Sequence, residues 1–158
     1  MRKLIAIAAA ALLFTAAAQA APDQPFDPSR DPAKDLKTAE QVAQREHKNI
    51  LLDAGSNWCG WCKLLDRTTH TDAALSSLLE KNFVVIHVNW SPENHNDSFF
   101  ANYPSVSGYP YFFVLDMKGK LLKAQPTDAF ETDHNLSGGY NSERLQHFFR
   151  QWSPAGAA

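Results

Sequence analysis

Apolar positions along this chain follow two periods, and their order predicts an alternation of helices and strands. Spacing of three to four residues is typical of amphipathic helices, and short β-branched or aromatic runs are typical of strands. Helices are predicted at about 33–48, 59–69, 73–81, 97–103 and 142–152. Strands are predicted at 50–54, 83–89, 111–115 and 121–124. Residues 125–140 are predicted to form a long loop.

The order of these elements predicts the fold class. The early strands alternate with helices, which is typical of parallel strand pairs. The last two strands are separated only by a short turn at 117–120, so they form an antiparallel hairpin. The sequence therefore predicts an α/β fold with a central mixed β-sheet that is flanked by helices on both faces.

The first twenty residues have the composition of a secretory signal peptide. Arg2 and Lys3 precede an apolar stretch at 4–18, and the segment 18–20 has the small residues of a cleavage site. The stretch is shorter than the roughly 20 residues of a membrane span, and an uncleaved anchor is the alternative. We therefore expect export to the periplasm and removal of residues 1–20.

Composition adds the domain limits and excludes one class of partner. Residues 21–32 carry four prolines and are predicted to form an extended N-terminal arm, while 33–152 form one domain and 153–158 a flexible tail. The chain has 15 Lys and Arg against 17 Asp and Glu. Nucleic-acid binding needs a basic face, so no such partner is expected.

Nothing in the sequence resembles a dimerisation domain, and we expect a monomer.

The two cysteines of the chain, Cys59 and Cys62, lie three positions apart between a predicted strand and a predicted helix. Exported proteins use most cysteines as structural disulfides, but a bridge that closes so short a loop restricts the unfolded chain little. Disulfide exchange is therefore the predicted use of the pair. An inert bridge and half of a zinc or copper site are the alternatives; we expect no metal, because the remaining ligand types have no recognisable spacing.

Two motifs resemble the thioredoxin superfamily, and the resemblance extends over about 37–152. One is the segment Trp58-Cys59-Gly60-Trp61-Cys62-Lys63, which follows an apolar strand, and the other is Gly108-Tyr109-Pro110, which precedes the strand 111–115. The exported thiol:disulfide interchange proteins are the most similar branch. The resemblance implies a thioredoxin fold, a thiol–disulfide oxidoreductase and no cofactor beyond the cysteine pair. It also implies a cis peptide bond before Pro110.

The chemistry of thiols assigns a role to each cysteine. The free N–H groups and the dipole of a helix N-terminus favour a thiolate at Cys59 and lower its pKa. Cys62 lies one turn later on the same helix face, where it is placed to attack a mixed disulfide formed at Cys59. Cys59 is therefore the predicted nucleophile and Cys62 the predicted resolving thiol.

The resemblance also places a substrate groove beside the cysteines. The groove residues are Trp58, Gly60, Trp61, Tyr109 and Pro110. The backbone of Tyr109 is expected to pair with an extended substrate segment. Trp61 stands where many thioredoxins have Pro and isomerase-like relatives have His. Trp61 either offers an aromatic surface to a partner or shields the cysteine pair. Because no His stands at this position to stabilise the Cys59 thiolate, the motif does not indicate a strong oxidant.

Asp53 matches the buried carboxylate of thioredoxins, so the resemblance implies that it accepts the proton of the resolving cysteine. Burial would raise its pKa towards neutrality. His87 falls near the position of a thioredoxin lysine and has two interpretations. We expect an ordinary hydrogen-bonded strand histidine; pairing with Asp53 is the alternative. The turn at 138–140 is interpreted as flexible, and another wall of the groove is the alternative.

These residues predict an oxidoreductase that reduces or isomerises disulfides of exported proteins. A membrane electron donor is an expected partner, because the periplasm has no soluble reducing buffer. An oxidase that donates its disulfide is one alternative. A thioredoxin-fold binding or assembly module without turnover is another.

Overall fold

The computed structural model of the protein describes residues 24–155. The predicted signal peptide, the start of the predicted arm and the last three residues of the tail lie outside this range. The elements are α1 (Pro32–Glu46), β1 (Asn49–Gly55), α2 (Gly60–Thr71), α3 (Ala73–Asn82), β2 (Phe83–Asn89), α4 (Asp97–Phe100), β3 (Tyr111–Leu115), β4 (Leu121–Pro126) and α5 (Ser142–Gln151).

The four strands form one sheet in the order β2-β1-β3-β4. β1 pairs in parallel with β2 and antiparallel with β3, and β3 and β4 form the antiparallel hairpin. The predicted mixed sheet is confirmed. β1 is central, and each of its seven residues is buried. The segment that follows β1 therefore starts from the buried centre of the sheet.

Alternation along β1 divides its side chains between two cores. Ile50 and Leu52 point to the face that α1 covers, where they pack with Ala39 and Ala43. Leu51 points to the opposite face, whose core takes residues from α2, α3 and α5: Leu65, Leu75, Leu145, Phe148 and Phe149. Because strand side chains alternate with a period of two, Asp53 and Gly55 share the face of Leu51. None of the helices in residues 24–155 is long and apolar enough to cross a membrane.

Several predicted boundaries differ from the structure; α4, for example, ends at Phe100 and not at 103. Two of the differences concern the end of α1 and the loop after β4. His47, in the left-handed conformation with φ of 55°, ends α1, so Asn49 opens β1 instead of ending the helix. The side-chain amide of Asn49 donates to the carbonyl of Trp152 at 2.9 Å. The predicted loop 125–140 is shorter, because β4 continues to Pro126 and a 3-10 turn follows at Thr127–Phe130.

Candidate active site

The cysteine pair lies where central strand β1 leads into helix α2. Cys59 is the N-cap of α2, and Cys62 lies in its first turn. The two form a disulfide with their Cα atoms 5.2 Å apart. The backbone N–H of Cys62 donates to Cys59 Sγ at 3.1 Å, so a free amide of the helix N-terminus points at this sulfur. The same geometry would favour a thiolate at Cys59 after reduction.

The two cysteines differ in exposure. Cys59 is 9% exposed, whereas Cys62 is 0% exposed. Of the two residues, Cys59 is therefore the one with surface open to solvent.

The peptide bond Tyr109–Pro110 is cis, which confirms the expectation for this motif. Cys59 Sγ lies 3.7 Å from the carbonyl oxygen of Tyr109, so the motif faces the cysteines. Thr127 donates its hydroxyl to the carbonyl of Pro110 at 2.7 Å and ties the motif to the end of β4. The ring of Tyr109 stacks on Trp90 with centroids 5.0 Å apart. Sequence reasoning did not single out Trp90.

Side chains of the loop 131–140 form another wall beside the cysteines. Leu136 is exposed and lies over Gly60: a Cβ atom at Gly60 would be 3.2 Å from Leu136 Cδ1. Tyr140 is buried and packs edge to face on Trp61, with ring centroids 5.2 Å apart. The interpretation of 138–140 as merely a flexible turn therefore does not hold for Tyr140. Trp61 is partly shielded, while Trp58 stays largely exposed.

Phe26, within the predicted arm, is fully buried beneath the cysteine pair. Asn57 holds its backbone from both sides: the Phe26 N–H donates to Asn57 Oδ1 at 3.1 Å, and Asn57 Nδ2 donates to the Phe26 carbonyl at 2.5 Å. Sequence reasoning missed this residue. The available signal was a single large aromatic residue among prolines and polar residues.

Gly55 allows Phe26 and Cys62 to come together. A Cβ atom at this position would lie 2.8 Å from both Cys62 Sγ and Phe26 Cζ, closer than a Cβ atom approaches other heavy atoms. The last position of β1 therefore requires glycine because of packing.

Asp53 is buried on the same face of β1 and is the register partner of His87 in β2. His87 Nε2 lies 3.6 Å from Asp53 Oδ2, so the structure shows the pairing that the sequence left as the alternative. Asp53 Oδ1 has no hydrogen-bond partner among residues 24–155. Burial raises the pKa of Asp53 to about 6, a rise that His87 opposes and Asp66 increases.

His87 contacts a second carboxylate, Asp66 of α2, with Nε2 3.4 Å from Asp66 Oδ1. Burial lowers the pKa of His87, but the contact with Asp66 and the charge of Asp53 outweigh burial and raise it overall. Burial also acts to raise the pKa of Asp66, yet His87 and His70 hold it below its usual value. A cavity of about 310 Å³ opens beside these groups, and Asp53, His70 and His87 are among its lining residues.

Within residues 24–155, no three His, Cys, Asp or Glu side chains are grouped in an arrangement that could hold a metal ion.

Residues 31–117 match a family model described as thioredoxin-like. The chain belongs to the thioredoxin-like family. Together with the Cys59–Cys62 pair, this confirms the predicted class of enzyme, a thiol–disulfide oxidoreductase.

Particular relatives agree with this class. The crystal structure of a disulphide isomerase from Xylella fastidiosa Temecula1 superposes with a TM-score of 0.64 at 26% identity, over 80% of this chain and 95% of that one. The C-terminal domain of Neisseria meningitidis DsbD shares the fold, with a TM-score of 0.53 at 17% identity over 77% of this chain and 96% of that one. The thiol:disulfide interchange protein DsbD of Actinobacillus pleuropneumoniae is 26% identical over 62% of this chain. The chain spans about a sixth of the length of such curated relatives, 17% in this case.

Proposed function

We propose that this protein is an exported thiol–disulfide oxidoreductase that reduces or isomerises disulfides of other periplasmic proteins. One observation carries the proposal: Cys59 Sγ receives an amide hydrogen bond at the N-terminus of α2 and is partly exposed beside Pro110, while Cys62 is buried. The relatives described above, a disulphide isomerase and a thiol:disulfide interchange protein, support the same reaction.

The proposed reaction transfers two electrons from the dithiol form of the pair to a partner disulfide. The Cys59 thiolate attacks one partner sulfur, and the other partner sulfur leaves as a thiolate and takes a proton from solvent. Cys62 then gives its proton to Asp53, and its thiolate attacks Cys59 Sγ. This step restores the Cys59–Cys62 disulfide and releases the second partner sulfur as a thiolate, which is then protonated.

The groove that would hold the partner lies on the side of Cys59. The backbone of Tyr109, whose carbonyl oxygen lies 3.7 Å from Cys59 Sγ, would pair with an extended substrate segment, as strand-adding peptides do. Trp58, Gly60 and Trp61 form the opposite wall, and Trp58 offers a large exposed apolar surface. The pair itself is the only redox group that the reaction requires.

Turnover as a reductant requires a source of electrons. The periplasm is kept oxidising and has no soluble reducing buffer, so a membrane protein with an exchangeable dithiol is the proposed donor.

We propose that the protein acts as a monomer, since one chain supplies both cysteines.

Trapping of mixed disulfides tests the function. Cys62→Ser removes the resolving thiol, so the mixed disulfide formed at Cys59 should accumulate with exported proteins, while Cys59→Ser, the matched control, should accumulate none. The reduction potential of the pair should lie near thioredoxin's value of about −270 mV rather than near the −120 mV or so of a strong oxidant. Equal, background-level trapping by Cys62→Ser and Cys59→Ser would contradict the proposal. A reduction potential near that of the strong oxidant would contradict it as well.

A further inference from the structure

Strand direction brings three segments of the chain to the edge of the sheet where the cysteine pair lies. The parallel strands β1 and β2 end together, with Gly55 and Asn89 as register partners. The antiparallel strand β3 starts at this edge, and β4 ends there. The edge therefore gathers the turn before α2, the connection from β2 to β3 and the connection from β4 to α5: 56–59, 90–110 and 127–141. These segments are called the cysteine face below.

An exposed apolar surface lies at the centre of the cysteine face. Trp58, the residue before Cys59, is 60% exposed, and Leu136, which lies over Gly60, is 53% exposed. Large apolar side chains that are exposed side by side, rather than singly, mark surfaces that bind a partner. This surface continues directly from the exposed cysteine, so the partner that it fits is the one that reacts there.

A series of stacked rings fixes one rim of this surface. Trp90 stacks on Tyr109 with ring centroids 5.0 Å apart and on His95 with centroids 4.7 Å apart. The N–H of Trp90 also donates to the carbonyl of Gly55 at 2.7 Å. Because the carbonyl oxygen of Tyr109 lies 3.7 Å from Cys59 Sγ, the loop after β2 is held beside the reacting sulfur.

The connections of the cysteine face contain carboxylates but neither Lys nor Arg. The sequence has no Lys or Arg between Lys81 and Lys118, and none between Lys123 and Arg144. The exposed carboxylates of these connections are Glu93, Asp97, Asp128 and Asp133. The basic residues nearest to the face along the chain are Lys63 and Arg144, in the first turns of α2 and α5.

The carboxylates lie on both sides of the apolar surface. On the side of the stacked rings, burial and the charge of Asp97 raise the pKa of Tyr109 to about 12, which places Asp97 close to this ring. On the other side, Glu131 and Tyr140 form an isolated β-bridge, and the Tyr140 ring packs on Trp61.

Two histidines of the face lie beside these carboxylates. His95 Nδ1 is 3.9 Å from Asp97 Oδ2, and His134 Nδ1 is 3.1 Å from Glu131 Oε2.

The opposite edge of the sheet has a different charge pattern. Its basic residues are Lys48, Lys81, Lys118 and Lys120, which lie among the carboxylates Glu46, Glu80 and Asp116. Negative charge is therefore concentrated at the cysteine face, while the far edge is mixed. An asymmetry of this kind orients an approaching partner and raises its association rate when the charges are opposite.

We propose that the apolar surface beside Cys59 docks an extended partner segment in which Lys or Arg residues flank the disulfide cysteine. The inference rests on the proposed disulfide exchange and adds the class of substrate. An apolar side chain of the segment would cover Trp58 and Leu136, and its cations would face the carboxylates of 93–97 and 128–133. Docking adds no chemical step, so the electrons and protons of the exchange move as before.

Two synthetic peptides of opposite charge test the preference. Each has a single cysteine in a mixed disulfide with thionitrobenzoate, and they differ only in the residues that flank the cysteine, which are Lys in one and Glu in the other. Attack by Cys59 of the reduced protein on the peptide sulfur forms the new disulfide and releases thionitrobenzoate, whose absorbance gives the rate. The same pair of rates with 2-mercaptoethanol, whose thiolate carries the same charge as that of Cys59, corrects for the intrinsic reactivity of each peptide.

The corrected ratio of the two rates is the quantity that the proposal predicts. The Lys peptide should react about fivefold faster or more at roughly 50 mM salt, and the ratio should fall below about twofold near 1 M, where screening shortens electrostatic interactions to about 3 Å. Because the ratio is measured on one preparation, any change in Cys59 reactivity or in the folded fraction cancels.

Charge reversal locates the preference on the cysteine face. Glu93→Lys and Asp128→Lys change exposed carboxylates, one in each connection, and each should lower the corrected ratio at least about twofold at roughly 50 mM salt. Glu80→Lys is the matched control, because it makes the same charge change at an exposed position at the opposite edge. Its ratio should stay close to that of the wild type.

The outcomes distinguish the docking of basic segments from the exchange on which it rests. A corrected ratio near one at low salt, a faster reaction of the Glu peptide, or equal ratios in Glu93→Lys, Asp128→Lys and Glu80→Lys would overturn the docking and leave the exchange standing. If Cys59 reacts with neither peptide faster than the thiolate of 2-mercaptoethanol does, the proposed exchange fails together with the docking.

Discussion

The two sulfurs of one disulfide face different surroundings. The outer side, around Cys59, consists of Trp58, Tyr109 and Leu136, and its apolar surface is partly open to solvent. The inner side, around Cys62, consists of Phe26, Gly55, Asp53 and His87, which are packed in the interior or nearly so. Substitutions on the inner side should therefore change stability and proton transfer, while those on the outer side should change partner binding.

The largest effect on stability is expected from Phe26→Ala on the inner side. Truncation of a fully buried phenylalanine leaves a cavity and typically costs about 3–5 kcal/mol. Urea unfolding of the oxidised protein at pH 7 measures the loss. Phe26→Leu, which keeps most of the apolar volume, should lose clearly less. A loss below about 1 kcal/mol for Phe26→Ala, well under that range, would show that the arm is not part of the core.

The next effect concerns Asp53, whose pKa is about 6 in the fold against 3.8 in the unfolded chain. Between these values the folded state holds a proton that the unfolded state does not, so this stabilisation is complete below about pH 3.8 and is lost as pH rises through 6. Asp53→Asn should therefore raise the free energy of unfolding at pH 7.5 by up to about 3 kcal/mol, and change it little near pH 4.

Unfolding of the wild type and Asp53→Asn across this pH range measures that difference, always in the oxidised state. Asp128→Asn, which changes an exposed carboxylate, is the control and should show no such trend. A constant difference between wild type and Asp53→Asn from pH 4 to pH 7.5 would contradict the effect of burial on Asp53.

A smaller loss is expected from Gly55→Ala. The added methyl group would press on Cys62 Sγ and Phe26, and overpacking of this kind typically costs about 1–3 kcal/mol. Gly108→Ala is the matched control, because a Cβ atom there would meet no described atom within 4 Å. Equal stability of Gly55→Ala and Gly108→Ala would mean that Cys62 and Phe26 move apart to accommodate the methyl group, and would contradict this prediction.

The smallest effect on stability, and the sharpest contrast in function, is expected from Trp58→Ala on the outer side. An exposed side chain contributes little to folding, so stability should stay within about 0.5 kcal/mol. The kcat/KM for reduction of a protein disulfide should fall several-fold, whereas the rate with 5,5′-dithiobis(2-nitrobenzoate), which needs no groove, should remain. An equal fall in rate with the protein disulfide and with 5,5′-dithiobis(2-nitrobenzoate) would contradict the assignment of Trp58 to partner binding.

Local patterns explain how much of this molecule could be predicted. The strands Phe83–Asn89 and Tyr111–Leu115 agree with their predictions at both ends, because β-branched and aromatic runs mark buried strands strongly. The position of the cysteine pair at a strand-to-helix junction and the cis bond before Pro110 also agree. Each of these features is encoded within a few neighbouring residues.

The features that sequence reasoning missed depend on contacts between distant segments. Phe26 meets Cys62 across 36 positions of the chain, and no periodicity in a proline-rich segment indicates its burial. His87 meets Asp66 only because α2 crosses β1 and β2 on the face that Asp53 shares.

Alkylation of the reduced protein tests the central difference between the two sulfurs most directly. Limiting iodoacetamide at pH 7, followed by mass-spectrometric mapping, gives the rate at each cysteine. Because Cys59 is partly exposed at a helix N-terminus and Cys62 is buried, Cys59 should react at least about tenfold faster. Equal rates, or faster modification of Cys62, would contradict the account.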